Sequence, residues 1–207
     1  MGGDLTVRVI VNDGRYFCDP CRIESPLPAG YPAPTPPGAI ELKRYPTVRR
    51  AEVSGGGDPD RGMSRGFWPL FQHIRKRDIA MTSPVEVDYH DWSSEDQASA
   101  WTMSFLYRTA DLGPTGRDGI VTVTDAEPVT VLALGLRGAY DLDRISQDID
   151  QLRTWLASQD EWEAAGDLRA FYYNGPYVPD RKKWSEAQIP VRRKPGASST
   201  DGPPDTP

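Results

Sequence analysis

The clearest pattern in the chain is an alternation of large apolar and smaller residues over 101–107. Trp101, Met103, Phe105 and Tyr107 fall on one side and Thr102, Ser104 and Leu106 on the other, which predicts a β-strand. Upstream the period changes. Phe67, Leu70, Phe71 and Ile74 recur at helical spacing and predict a short amphipathic helix, capped by Ser64 and carrying Pro69 in its first turn. That helix is read as passing, with almost no loop, into a strand over 79–87, after which a polar loop over 92–99 leads to the 101–107 strand.

The same order recurs downstream. Residues 120–124 and 129–136 read as strands, the second apolar on both faces. Asp141 caps a helix through 156 whose buried stripe is Leu142, Ile145, Ile149, Leu152 and Leu156, and strands around 168–173 and 186–191 follow. Near the start, 5–11 alternates as a strand, Asn12-Asp13-Gly14 supplies a tight turn, and 15–18 returns as its hairpin partner. Residues 40–45 and 47–53 are two strand-like runs pinched at Pro46, which bends one long strand or marks an edge. Each half therefore reads strand, helix, strand, strand. The predicted class is α+β, with two β-α-β-β repeats pairing their sheets so that two main helices lie on one side and a groove on the other.

Composition changes the picture at the ends. Twenty prolines and 19 glycines depress the hydrophobic share to 38%, and they concentrate in 25–38, in 54–66 and after Lys194. Residues 1–38 read as an N-terminal extension, a possible hairpin followed by a semi-rigid proline-rich linker. The domain proper spans 39–193. Residues 194–207 have no apolar residue able to anchor them and are expected to be disordered. A net charge of -6 argues against nucleic acid as a main partner, because the basic clusters at 75–77 and 192–194 are too short to track phosphates. No run approaches the roughly 20 apolar residues of a membrane span, and no signal peptide is read, so a soluble cytoplasmic protein is expected.

Cys18-Asp19-Pro20-Cys21 holds both cysteines of the chain. It reads as half a metal site, a redox pair, or reduced thiols of no special role. Two cysteines cannot close a tetrahedral zinc site, and His73 and His90 belong to other elements. No helix follows the motif, as a thioredoxin-like arrangement requires.

Several phrases carry a resemblance: Ile40-Glu41-Leu42-Lys43-Arg44-Tyr45-Pro46, the 67–74 helix, Ile79-Ala80-Met81-Thr82-Ser83-Pro84-Val85, Trp101-Thr102-Met103-Ser104-Phe105, Tyr172-Tyr173-Asn174-Gly175-Pro176 and Glu186-Ala187-Gln188-Ile189-Pro190-Val191. In this order, over 40–191, the chain resembles the SOUL haem-binding protein family. The resemblance implies a distorted antiparallel β-barrel of two β-α-β-β repeats, shared with gyrase-inhibitor-like effector-binding domains. It also implies binding of haem or another tetrapyrrole in an apolar groove, without turnover.

A haem site needs large apolar side chains for the disc and cations at the carboxylate edge. On the first helix and the strands beside it, Phe67, Leu70, Phe71, Met81, Met103 and Phe105 are candidates for the slot, and Arg75, Lys76 and Arg77 for the rim. His73, roughly 60° round the helix from Leu70, is the candidate iron ligand. A solvated helix end and ordinary core packing explain the same residues without a ligand. In the related effector-binding domains a glutamate of the closing strand faces the groove beside tyrosines. Here that implies a small-molecule effector or hydrolytic site using Glu186, Tyr172 and Tyr173. Ala187, Ile189 and Val191 form the apolar face of that strand, so Glu186 points the other way, into a groove or into water. A third reading makes the groove a protein-docking surface, favoured if the N-terminal segment already fills it.

Overall fold

The structure is a computed structural model and describes residues 2–57, 59–92, 99–140 and 142–196. The elements in chain order are β1 (Gly2–Gly3), β2 (Ile10–Asn12), β3 (Arg15–Cys18), β4 (Cys21–Ile23), β5 (Ala39–Tyr45), β6 (Val48–Gly56), α1 (Pro59–Lys76), β7 (Val85–His90) and β8 (Ala100–Leu106). They continue with β9 (Gly116–Asp118), β10 (Val121–Ala126), β11 (Val129–Arg137), α2 (Leu142–Ala157), β12 (Trp162–Ala164), β13 (Leu168–Tyr172) and β14 (Trp184–Arg193).

One large antiparallel sheet runs β1-β5-β11-β14-β13-β7-β8-β6-β10-β9, with β12 added to β14. The predicted barrel does not close: the order ends at β1 and β9, and among the described residues no ladder joins them. The bend that curls the sheet lies at Pro46. Tyr45 sits opposite Val129 and Val48 opposite Ala126, so one register runs from the β5–β11 ladder into the β6–β10 ladder. Pro46 and Pro128 stand at this break in the two chains, where neither can donate to a ladder. A small second sheet, β2-β3-β4, is built on the hairpin predicted from Asn12-Asp13-Gly14, with Asp13 and Gly14 both at positive φ.

Alternation along the strands sends two sets of side chains to opposite faces. Val53, Val87, Met103, Phe105, Leu132 and Ile189 meet the stripes of α1 (Leu70, Ile74) and α2 (Ile145, Ile149, Leu152, Leu156) in the larger core. Trp101 belongs to it as well, beneath Gly62 and Gly66 of α1. On the other face Tyr45, Val131, Ala133, Phe171, Tyr173 and Trp184 form a second core with Cys18, Cys21, Ile23 and Leu27. The N-terminal segment is therefore no free linker. It packs across the sheet.

Local boundaries also differ from expectation. α1 begins at Pro59, so Ser64 is a helical residue and not its cap, and Pro69 lies in the helix interior, where it removes one backbone hydrogen bond. The predicted 79–87 strand starts only at Val85. Before it, Ile79 is buried, Thr82 Oγ1 donates to the Leu106 carbonyl, and Ser83 Oγ donates to the Tyr173 carbonyl at 2.7 Å. That string is a packed connection, held by side-chain bonds. The cap Asp141, most of the 92–99 loop and the tail from 197 lie outside the described residues. Lys194, read as the start of the tail, is held at Gln159 and Glu161. Among the described residues no helix is long and apolar enough to cross a membrane.

Candidate ligand-binding face

The residues predicted on the helix side are brought together, but by packing. Leu70, Met103 and Phe105 are buried, and Phe67 lies edge-on to Phe105 at 5.2 Å and stacked on Phe71 at 5.9 Å. Met81 is half-buried, and Arg75, Lys76 and Arg77 are exposed. His73 is 3% exposed, and both ring nitrogens are taken: Nδ1 lies 2.8 Å from Asp118 Oδ2 and Nε2 2.9 Å from the Tyr107 hydroxyl. Arg77 reaches the same Asp118 oxygen at 2.8 Å. An iron bond to His73 would require one of these partners to be given up. His90 is engaged too, with Asp167 at 2.7 Å and Thr102 at 2.9 Å.

The opposite face is built differently. Glu186 is fully buried, and five donors converge on its carboxylate. Oε1 accepts from the Thr35 amide at 2.7 Å, Lys43 Nζ at 2.8 Å and the Tyr173 hydroxyl at 2.8 Å. Oε2 accepts from Gln188 Nε2 at 2.5 Å and, more weakly, from the Tyr45 hydroxyl at 3.4 Å. Burial alone would push this carboxyl up, but the Lys43 charge and the bonds from Lys43, Thr35 and Tyr173 outweigh it, and the pKa lies below the ordinary value. Burial, and next the charge of Glu186, push the Tyr45 and Tyr173 phenols well above theirs.

Strand parity explains who is present. Phe171 is directly opposite Glu186, and Glu186 is opposite Gly135. Tyr173 and Trp184 share this side, whereas Tyr172 faces the helices and lies 2.6 Å from the Tyr89 hydroxyl. Of the two tyrosines predicted beside Glu186, the structure brings Tyr173 and not Tyr172. Tyr45, Lys43 and Thr35 join from segments more than 140 residues away in the chain.

The face continues toward β7 as a charged band. Arg50 Nη1 lies 2.5 Å from Glu86 and 3.1 Å from Asp88. Burial, and next the nearby Glu86, raise Asp88 to about 6. The Arg169 guanidinium lies over the Tyr45 and Phe171 rings at 4.9 and 4.8 Å and donates to Gln188 at 2.7 Å. Arg169 Nη2 and Ser104 Oγ are buried with no hydrogen-bond partner among the described residues.

Cys18 and Cys21 are directly paired across the β3–β4 hairpin, both buried and free. Burial raises the Cys21 thiol to about 11, which disfavours thiolate chemistry. Among the described residues no group of three or more His, Cys, Asp or Glu side chains is placed to hold a metal ion.

A model of the SOUL heme-binding protein family matches residues 32–189. The chain belongs to the SOUL family. The match takes in the last residues of the N-terminal segment, including Thr35, as well as the sheet. No curated protein is matched by the sequence of this SOUL protein. Among solved structures, the EcmrR C-terminal domain is similar, with a TM-score of 0.63 and 16% identity over 75% of this chain and 98% of that one. A hydrolase from Listeria innocua is similar at a TM-score of 0.56 and 14% identity, over 77% and 94% of the two chains. At these identities the likeness is one of fold.

Proposed function

We infer that this SOUL protein binds a large planar apolar ligand, haem or another tetrapyrrole by family, on the sheet face opposite the helices and without turnover. The observation that carries the reading is a set of rings, Tyr45, Phe171, Tyr173 and Trp184, gathered round one buried carboxylate. A tetrapyrrole is a flat apolar disc with carboxylates at one edge. The rings suit the disc, and the unpartnered Arg169 Nη2 suits a carboxylate, so the residues present fit the group. Both faces are packed, but the helix-side set of Phe67, Leu70, Phe71, His73, Met103 and Phe105 lies under α1, whereas the rings of the other face are covered by the N-terminal segment. No residue is assigned to the iron.

A second reading, an effector or hydrolytic site at Glu186, is favoured by the 2.8 Å contact of its carboxylate with Tyr173. A general base works best with a pKa near the operating pH. Glu186 is held low and its acceptor positions are already taken by five donors, so it suits organising the face better than taking a proton. The order strand, helix, strand, strand on either side of the β7–β13 ladder supports a description as two β-α-β-β units.

Haemin titration followed by the Soret band and tryptophan fluorescence tests the main reading. Binding at micromolar haemin, weakened about tenfold by Arg169→Gln, is expected, a loss of about 1.4 kcal/mol. The absence of both a Soret shift and quenching with the intact chain refutes it.

A further inference from the structure

The binding face is covered by the chain itself, the arrangement that also favours the docking-surface reading. Thr35 is fully buried there, its amide donating to Glu186 at 2.7 Å and its carbonyl accepting from Trp184 Nε1 at 2.8 Å. The Tyr31 ring stacks on Phe171 at 6.3 Å and meets Tyr45 edge-on at 4.8 Å. Gly38 donates to the Gly135 carbonyl at 2.8 Å. The contacts to Glu186, Trp184, Phe171 and Tyr45 use groups that the ligand reading needs.

The close approach depends on one glycine. A Cβ at Gly135 would lie 2.1 Å from the Pro36 carbonyl oxygen and 2.4 Å from that of Thr35. The covering segment is also anchored at both ends. Pro26, Leu27 and Ala29 bond to Ser83 and Arg108, and Ala39 begins β5. Between them prolines hold an extended chain with no ladder of its own, so lifting it breaks the bonds of Thr35 and Gly38 and the Pro37–Gly135 bridge while both anchors stay in place. The fit is imperfect, because Thr35 Oγ1 is buried with no hydrogen-bond partner among the described residues. When the segment leaves, Glu186 keeps Lys43, Tyr45, Tyr173 and Gln188, so the face is already assembled for an incoming ligand.

We propose that residues 30–38 form a strap that competes with the ligand for this face, so that binding requires the strap to lift. The proposal rests on the ligand face inferred above. It makes apparent affinity the intrinsic affinity multiplied by the fraction of molecules with the strap off.

The test is hydrogen exchange at the amides of Thr35 and Gly38, both bonded to the covered face, in the full chain with and without saturating haemin. Bound haemin is expected to speed exchange at these positions, the reverse of ordinary protection. Unchanged or slower exchange with haemin bound overturns the proposal. Two variants give a second reading. Thr35→Pro removes the amide that donates to Glu186, and Gly135→Ala places a Cβ in the path of the strap. Both are expected to bind haemin about tenfold more tightly and with a faster association rate than wild type. Equal affinity in all three proteins overturns the strap and leaves the ligand face standing, whereas no haemin binding by any of them overturns both.

Discussion

Glu186 keeps its charge in the protein interior because the fold supplies more donors than burial takes away. The Lys43 ammonium, 5% exposed and 2.8 Å distant, is the largest of these influences. Removing one partner of such a pair leaves the other buried and uncompensated. Glu186→Gln is expected to cost about 3–5 kcal/mol in urea unfolding at neutral pH. The pH dependence follows from the sign of the shift. The folded-state pKa is depressed, so the stabilisation is complete above the ordinary carboxylate value of 4.5 and is lost as pH falls through the folded-state value. Wild type is therefore expected to lose stability on acidification below about pH 4.5, with a shallower slope for Glu186→Gln. His73 has a structural role of the same kind. His73→Ala strips a partner from the buried Tyr107 hydroxyl and is expected to cost about 1–3 kcal/mol while leaving the haemin Soret titration unchanged.

At the scale of elements, α1 reaches the sheet by leaving room for Trp101. A Cβ at Gly62 would lie 2.2 Å from the Trp101 ring, which is also confined by Gly55 and Gly66. The ring cannot step aside, so the helix must lift. Alanine at an exposed helical position would gain about 1 kcal/mol over glycine, but forced overpacking costs typically 1–3 kcal/mol. Gly62→Ala is expected to fall on the destabilising side, with a lower urea midpoint and an altered near-ultraviolet tryptophan signal. An unchanged midpoint would show that the helix adapts freely. The glycines also explain why the start of α1 is hard to read: residues 59–66 lack an apolar stripe, and their helical turns exist to bring Gly62 and Gly66 over one indole.

At the scale of the whole molecule, the N-terminal segment is part of the fold, with Cys18, Cys21, Ile23 and Leu27 packed against Val131, Phe171, Tyr173 and Trp184. A chain beginning at Ala39 would expose this apolar face to water. It is expected to self-associate, visible in sedimentation velocity, while the full chain sediments more slowly at equal concentration.

Period and parity were legible in the residues themselves because they follow from backbone geometry. The alternation of 101–107, the stripe of α2 and the outward turn of Glu186 from Ala187, Ile189 and Val191 are local facts, and they reappear in the structure. The ordered phrases from Ile40 to Val191 were enough to name the family. Tyr173 over Tyr172 was available from parity as well, once Phe171 was paired with Glu186. What only the tertiary structure decided is which face is covered, by what, and with which charges neutralised. Thr35 and Glu186 are 151 residues apart, and Lys43 and Glu186 are 143 apart. No local period encodes such meetings. They depend on the sheet bending at Pro46 and on a proline-rich segment lying, at Gly135, close enough to β11 that a Cβ there would collide with it.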